Sequence, residues 1–533
     1  MSPIRIGSSF TRRRLLAGSL LALAALAAGS RGRADADHVR VLVRFAPGVD
    51  AAERGQLARR FAGAIRRDLG DYSIAALELP AAEVAALRRD PGVELVEPEP
   101  IYHAAALALS ELQPALDNGL YGLVLTKAVD AQARHVDGAG ARVCIADTGI
   151  DAHHPDLAGA YSGGFDLVDN DDDPDIGPDP GLGGHGTMVA GIIAAALNRK
   201  GVHGIAPSAQ ILHARVLGAE GTAPSSRVME AVRRLVEHEG CRVVNLSLGS
   251  LQRSDVEADF YSQLLSRHDV LVIAAAGNEA AGVDYPAAYP GVVAVGAVDR
   301  DAGLASFSNT GSEVDLAAPG VDVLTTVPRG SGGESYVSLG RASWPASSFL
   351  YGGYTTAKGL RGKLVDCGTG NTPEEFPRSV RGQIALMRRG GAYFSVKVEN
   401  AMNAGARGAV IYNNVLEGLH GSLQTATASD GRPWIPVVLV SLADGETLLT
   451  QRKAALLFSG PTDWDAGSGT SFAAPYVAGA AALVLSVDPS LSRDQVLGLL
   501  ETTARDLGEP GLDPQFGWGL IDVDAATRAA AGL

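Results

Sequence analysis

Four side chains in this sequence have the types and settings needed for acyl transfer. Ser471 lies in Gly467-Ser-Gly-Thr-Ser-Phe-Ala-Ala-Pro475, just ahead of an Ala-rich apolar run ending at Leu485. That run predicts a buried helix with Pro475 in its first turn, where a missing N–H costs nothing. A serine there sits at the positive end of the helix dipole, with backbone N–H groups aimed at whatever its oxygen attacks. Serine alone is a poor nucleophile and needs a base and a group to orient that base. His185, in Gly184-His-Gly-Thr187, stands between glycines ahead of a second apolar helix. Asp147 ends the run Val143-Cys-Ile-Ala146 and can accept an imidazole N–H, fixing its tautomer. Asn278, in Ala274-Ala-Ala-Gly-Asn278, can donate its amide to an oxyanion beside the backbone N–H of Ser471. Each residue alone also has a structural reading: a helix N-cap, a packing histidine, a turn aspartate, a left-handed strand terminator.

The elements that must position these groups read as an α/β body. Val143–Ala146, Ile211–Leu217, Val243–Leu248, Val270–Ala276 and Val292–Val298 are continuous apolar runs rich in β-branched residues. Such runs suit parallel strands covered on both faces. Met188–Leu197 and Ser226–His238 supply crossover helices. In open sheets of this kind the chemistry gathers at the carboxyl ends of the strands. Each candidate falls at a strand end or a helix start. His153 and His154, in His-His-Pro-Asp, read as ordinary loop residues.

A chain of 533 residues exceeds one core, and 46% hydrophobic with 20% charged residues are globular proportions. The net charge of -15 argues against a nucleic-acid partner, which needs a basic face. Cysteines number three, too few for a disulfide-framed fold. Cys144 and Cys241 each fall in an apolar strand-like run and are expected as buried thiols. No H-E-x-x-H zinc motif is present, and Asp147-Thr-Gly has no second copy to make an aspartic dyad. The serine segment also lacks the second glycine of a G-x-S-x-G elbow, which disfavours an esterase.

Together Asp147, His185 and Ser471, in that order, resemble the subtilisin-type serine endopeptidases. The resemblance rests on Ala146-Asp-Thr-Gly149, Gly184-His-Gly-Thr187, Ala276-Gly-Asn278 and Gly469-Thr-Ser-Phe-Ala-Ala-Pro475, with Phe516-Gly-Trp-Gly-Leu-Ile-Asp522 near the C-terminus. It covers roughly residues 115–335 and 460–525. It implies a parallel sheet with helices on both faces and a peptidase acting on protein or peptide substrates. Ser471 is then the nucleophile, His185 the base, Asp147 its orienter and Asn278 the oxyanion donor. Ser247, Leu248 and Gly249, in Val244-Asn-Leu-Ser-Leu-Gly249, match the strand that pairs with substrate. Ala275, Ala276 and Gly277 match the other wall of the main pocket. Those walls are small and carry no charge, which predicts an apolar or broad preference. Met188 and Tyr476 stand where many relatives carry histidine, and Phe472 where methionine is usual.

Upstream of this body, Arg12-Arg-Arg-Leu-Leu16 opens an apolar run to Ala28 that is too short for a comfortable membrane span. It resembles a twin-arginine export signal, and an ordinary secretory signal is the alternative. Cleavage is expected after Ala36, with Ala25-Leu-Ala27 as the other candidate. The protein is therefore expected to be secreted or periplasmic, without a permanent membrane anchor. Residues 37–105 alternate strand, helix, strand, helix, strand, ending at Val93–Glu97, which predicts a small α+β domain. By position it resembles the family's inhibitory propeptide; a plain accessory domain is the alternative. A linker-like stretch follows near 104–114.

Two further segments stand out. Asp166–Asp175 is dense in carboxylates, and Asp169, Asp171 and Asp173 suit either a structural calcium or a solvated acidic loop. No cofactor is expected for the chemistry. Residues 335–460 exceed what the sheet needs. Gly362–Cys367, Ile384–Gly390, Phe394–Ala401, Gly405–Asn414 and Ile435–Leu439 resemble an inserted, β-rich protease-associated (PA) domain. Ala392 stands where some PA domains carry a cysteine, so Cys367 is expected as a free thiol. The implied domain order is signal 1–36, propeptide 37–105, catalytic body 106–334 and 461–533, and PA insert 335–460.

Overall fold

A computed structural model describes residues 38–105, 120–177, 184–198, 201–218, 220–350, 352–414, 421–425, 427–451 and 453–533. The export-signal segment 1–36 and residues 106–114 of the linker lie outside the described residues. The chain forms two compact units, divided between Pro98 and Glu99.

In the first unit, β1 (His38–Phe45), α1 (Ala51–Arg60), β2 (Ala64–Leu69), β3 (Ile74–Pro80), α2 (Val84–Leu87) and β4 (Val93–Pro98) follow in order. The strands form one antiparallel sheet in the order β2-β3-β1-β4. Asp50 and Glu53 start α1 with a capping box, each side chain accepting the other's backbone N–H. Leu57 and Ala58 then pack on Val41, Val43, Leu77 and Leu79. This has the predicted α+β order with one addition, but residues 99–105, which the prediction included, fall in the second unit. Edge strand β2, Ala-Ile-Arg-Arg-Asp-Leu, is half exposed, so its polar composition hid it.

The second unit opens on β5 (Ile101–Ala104). Then come β6 (Arg142–Asp147), β7 (Tyr161–Asp166), α3 (His185–Ala194), β8 (Gln210–Arg215), β9 (Thr222–Pro224), α4 (Ser225–Glu237), β10 (Val243–Leu246) and β11 (Leu248–Gly249). They are followed by α5 (Asp255–Arg267), β12 (Leu271–Ala275), β13 (Val293–Val298), β14 (Val314–Pro319), β15 (Val323–Thr326) and, after an insertion, α6 (Thr470–Val487). Seven strands make a parallel sheet in the order β14-β13-β12-β10-β6-β8-β7. The five predicted runs are its inner members. Helix α6 is buried from Thr470 to Leu485 and packs against the sheet and α3. Its apolar length therefore serves the core.

The expectation of thiols at Cys144 and Cys241 is corrected: they form a disulfide with Cα atoms 6.2 Å apart. Strands β6 and β10 are neighbours with Cys144 in register with Val244, which brings Cys241, just before β10, within bridging reach. Cys367 is a buried free thiol, as expected, and burial raises its pKa to about 12.

The insertion carries a nine-stranded sheet lying between Gly332 and Thr462. Parallel pairs join Leu360–Asp366, Ile384–Arg388, Gly408–Tyr412 and Val437–Val440. It joins the body where β15 pairs antiparallel with Trp464–Gly467.

Candidate active site

Asp147 ends β6 with its carboxylate wholly buried. Its Oδ1 accepts the backbone N–H of Thr148 (2.6 Å) and lies 2.7 Å from Nδ1 of His185, the first residue of α3. Thr148 Oγ1 accepts the N–H of Gly186 at 2.8 Å and so ties the two segments together. A Cβ on Gly186 would meet the Gly149 carbonyl at 2.4 Å, so the glycine after the histidine is a steric requirement. The ring of Phe472 meets His185 edge-on at 5.9 Å. Nε2 of His185 and Oγ of Ser471 are both buried without a hydrogen-bond partner among the described residues. An imidazole held by a carboxylate through one nitrogen, with the other free, is set to take a proton.

Ser471 is the second residue of α6. Its backbone N–H donates to the carbonyl of Ala105 at 3.1 Å, and Nδ2 of Asn278 donates to the same oxygen at 2.7 Å. Asn278 is aimed by its Oδ1, which accepts from the N–H and hydroxyl of Thr470 at 2.8 and 3.1 Å. Thr470 Oγ1 in turn accepts the N–H of Gly277 at 3.0 Å. Two converging donors on one carbonyl can stabilise negative charge on that oxygen.

Residues 101–105 run into this site as an extended chain. Strand β5 is the centre of a three-stranded antiparallel sheet, with Ala104 opposite Leu248, His103 opposite Gly249, and Tyr102 opposite Ala223. Ala105 N–H continues the ladder to the carbonyl of Ser247 at 3.1 Å. The predicted substrate-pairing residues Ser247, Leu248 and Gly249 thus pair with the chain itself. Peptide recognition by strand addition has this geometry.

A cavity of about 450 Å³ opens beside Ala105, lined by Gly249, Ser250, Asn278, Glu279 and Asp284 among others. Ala275, Ala276 and Gly277, the expected wall of the main pocket, are buried and are not among the residues that line this cavity. Gly277 has φ +107°, and a Cβ there would lie 2.7 Å from Cγ of Asp284. The expectation of uncharged walls is therefore corrected. Asp284, only 5% exposed, is brought to the pocket from the loop after β12. Burial, then the nearby Glu279, pushes its carboxyl up to about 7.

Sequence reading also missed His213 on β8, buried beside the Asp147–His185 pair. Burial drives its imidazole down to about 4, so it is neutral here. Pro475 is the sixth residue of α6, beyond the first turn predicted for it. His154 is wholly buried, its Nδ1 accepting the N–H of Asp156 and its Nε2 lying 2.9 Å from the Asp463 carbonyl. It is a structural residue of the insertion's neck.

The acidic loop does not gather a metal cage. Asp171 and Asp173 each accept the backbone N–H two residues on, and Asp169 pairs with Arg215 at 2.7 Å. Among the described residues no three His, Cys, Asp or Glu side chains converge. Ca²⁺ takes 6–8 oxygen ligands, and Asp169, Asp171 and Asp173 do not supply such a set among the described residues.

Comparison with known proteins agrees with this architecture. The subtilase family model matches residues 138–358 and 442–519, and a PA domain model matches 360–448 between them. The chain is 37% identical over 271 residues to "Alkaline protease" of Shouchella clausii, which spans 51% of this chain and 65% of that relative. It is 34% identical over 292 residues to "Thermophilic serine proteinase" of Bacillus sp. (strain AK1), 54% of this chain and 71% of that one. Among solved structures, the subtilisin-like protease Apa1 of Pseudoalteromonas sp. AS-11 superposes with TM-score 0.56 at 28% identity, covering 77% of this chain and 98% of Apa1. Fervidolysin of Fervidobacterium pennivorans shares the fold at TM-score 0.59 and 22% identity, over 94% of this chain and 62% of that one.

Proposed function

The chain belongs to the subtilase family, with an inserted PA domain, and from that premise we propose that it is a secreted serine endopeptidase made as a self-processed zymogen. The supporting observation is the carbonyl of Ala105, which receives the N–H of Ser471 and the amide of Asn278 together. A peptide carbonyl between those donors, at the end of a paired strand, is in the position of a bond about to be attacked.

In this reading His185 Nε2 takes the proton of Ser471 as its Oγ bonds to the carbonyl carbon. Asp147 stabilises the imidazolium that forms. The oxyanion is held by Ser471 N–H and Asn278 Nδ2. His185 then gives its proton to the leaving amine and the peptide bond breaks, leaving an ester on Ser471. Water, deprotonated by the same imidazole, cleaves the ester and restores the hydroxyl. No cofactor enters these steps.

Residues 37–105 act as the inhibitory propeptide, and the first bond cut is Ala105–Ala106. The segment ahead of that bond then remains as a product-like occupant of the substrate strand until it is removed. Residues 1–36 serve as the export signal. The test is a fluorophosphonate probe on the processed protein, read by peptide mass mapping. Labelling confined to Ser471 supports the reading. An unlabelled, processed protein would favour a non-catalytic scaffold.

A further inference from the structure

Strand β5 alternates its side chains, so Tyr102 and Ala104 face the body while His103 faces out. Tyr102 is entirely buried, and its hydroxyl lies 3.2 Å from Oε2 of Glu257. Glu257, in the first turn of α5, is itself wholly buried. The same oxygen lies 2.9 Å from the hydroxyl of Tyr289, whose ring stacks on Tyr261 at 5.7 Å. A wholly buried carboxyl among tyrosine rings is unusual, because burying it is costly unless donors such as these hydroxyls meet it. Burial holds the Glu257 carboxyl up to about 7, with Tyr102, Tyr289, Ser225 and Glu99 facing it. The hydroxyl of Tyr102 supplies a donor that leaves when the 101–105 segment leaves.

We propose that Glu257 is a specificity-determining residue, selecting protein substrates that carry tyrosine at the fourth position before the cleaved bond. This rests on the endopeptidase reading, with Ala105 at the cut and Tyr102 three residues ahead of it. A substrate tyrosine re-forms the hydroxyl–carboxyl hydrogen bond. A phenylalanine fills the same aromatic space and leaves the carboxyl short of a donor, the kind of mismatch that discriminates strongly. An arginine brings charge for the carboxyl but lacks a ring to lie along Tyr261 and Tyr289.

The test compares kcat/KM of the mature enzyme on quenched peptides of the form Xaa-His-Ala-Ala followed by a common leaving segment. Xaa is tyrosine, phenylalanine or arginine. Wild type is expected to favour tyrosine over phenylalanine by tenfold or more, and that ratio stands without any variant. In Glu257→Leu the ratio should fall to about one or below. Glu257→Gln, whose amide oxygen still accepts, should keep part of it. Cleavage of all three peptides with phenylalanine equal or better, or arginine preferred, or an unchanged ratio in Glu257→Leu, would overturn this assignment alone. Failure to cleave any peptide, together with an unlabelled Ser471, would overturn the endopeptidase reading beneath it.

Discussion

The carbonyl of Ser471 accepts the hydroxyl of Ser247 at 2.8 Å. It is free to do so because the residue four positions on in α6 is Pro475, which has no N–H to close the helical bond. The proline thus opens an acceptor at the proposed nucleophile, and a residue beside the substrate strand fills it. Asn245 Nδ2 donates to Ser247 Oγ at 2.9 Å and fixes its orientation. Ser247→Ala should leave that buried carbonyl unpaired, at about 1–3 kcal/mol. Thermal unfolding in a Ser471→Ala background measures it. Adding Pro475→Ala restores an N–H donor, and the double variant should recover part of the loss.

Removing a donor from the Ala105 carbonyl tests the oxyanion geometry. Asn278→Ala should lower kcat/KM by about 10²–10³, the range known for this donor in subtilisins. Thr470→Val removes the hydroxyl that bridges Asn278 and Gly277 N–H. It should cost roughly tenfold, chiefly in kcat, since the donor remains but is less well aimed. Steady-state kinetics on one peptide separates the two effects.

The Cys144–Cys241 disulfide closes a loop of 97 residues. Loop-closure entropy for that length corresponds to about 4–5 kcal/mol in the unfolded state. Cys144→Ala with Cys241→Ala should lower Tm by several degrees, measured in the Ser471→Ala background to avoid self-digestion. Both sulfurs are buried, so added reductant should act only as fast as the chain opens.

Buried carboxyls set a pH dependence of stability. Burial raises Glu257 and Asp284 to about 7, and Asp315 to about 6, in the folded chain. Their unfolded counterparts ionise near the ordinary 4 to 4.5. Between about pH 4.5 and 7 the folded state therefore holds more protons, and stability falls as pH rises through that window. Tm measured from pH 4.5 to 8 should show the decline, with Glu257→Gln flattening its share.

Asp284 makes a separate prediction about the residue just before the cut. Above about pH 7 its carboxylate lies in the cavity beside Ala105. Peptides with lysine there should gain on peptides with phenylalanine as pH rises from 6 to 8.5. Asp284→Asn should abolish that gain.

What the sequence made legible was whatever is carried by local pattern. The inner strands announce themselves as β-branched runs, and Asp147, His185 and Asn278 each sit among small residues at an element boundary. Edge strand β7, Tyr-Ser-Gly-Gly-Phe-Asp, is half exposed and glycine-broken, so it has no such run. The disulfide depends on which strands are neighbours, and sequence order does not give that. Asp284 and Glu257 were missed because a loop and a helix start bring them to pockets that exist only in three dimensions. The seating of Ala105 was invisible because its bonds are main-chain bonds, which any residue type can make.

Self-cleavage is read from the N-terminus of the purified chain, wild type against Ser471→Ala, by intact mass and terminal sequencing. The wild-type chain is expected to begin at Ala106, and the Ser471→Ala chain to remain joined across Ala105–Ala106. A Ser471→Ala chain cut at that bond when purified alone would rule out cleavage by Ser471.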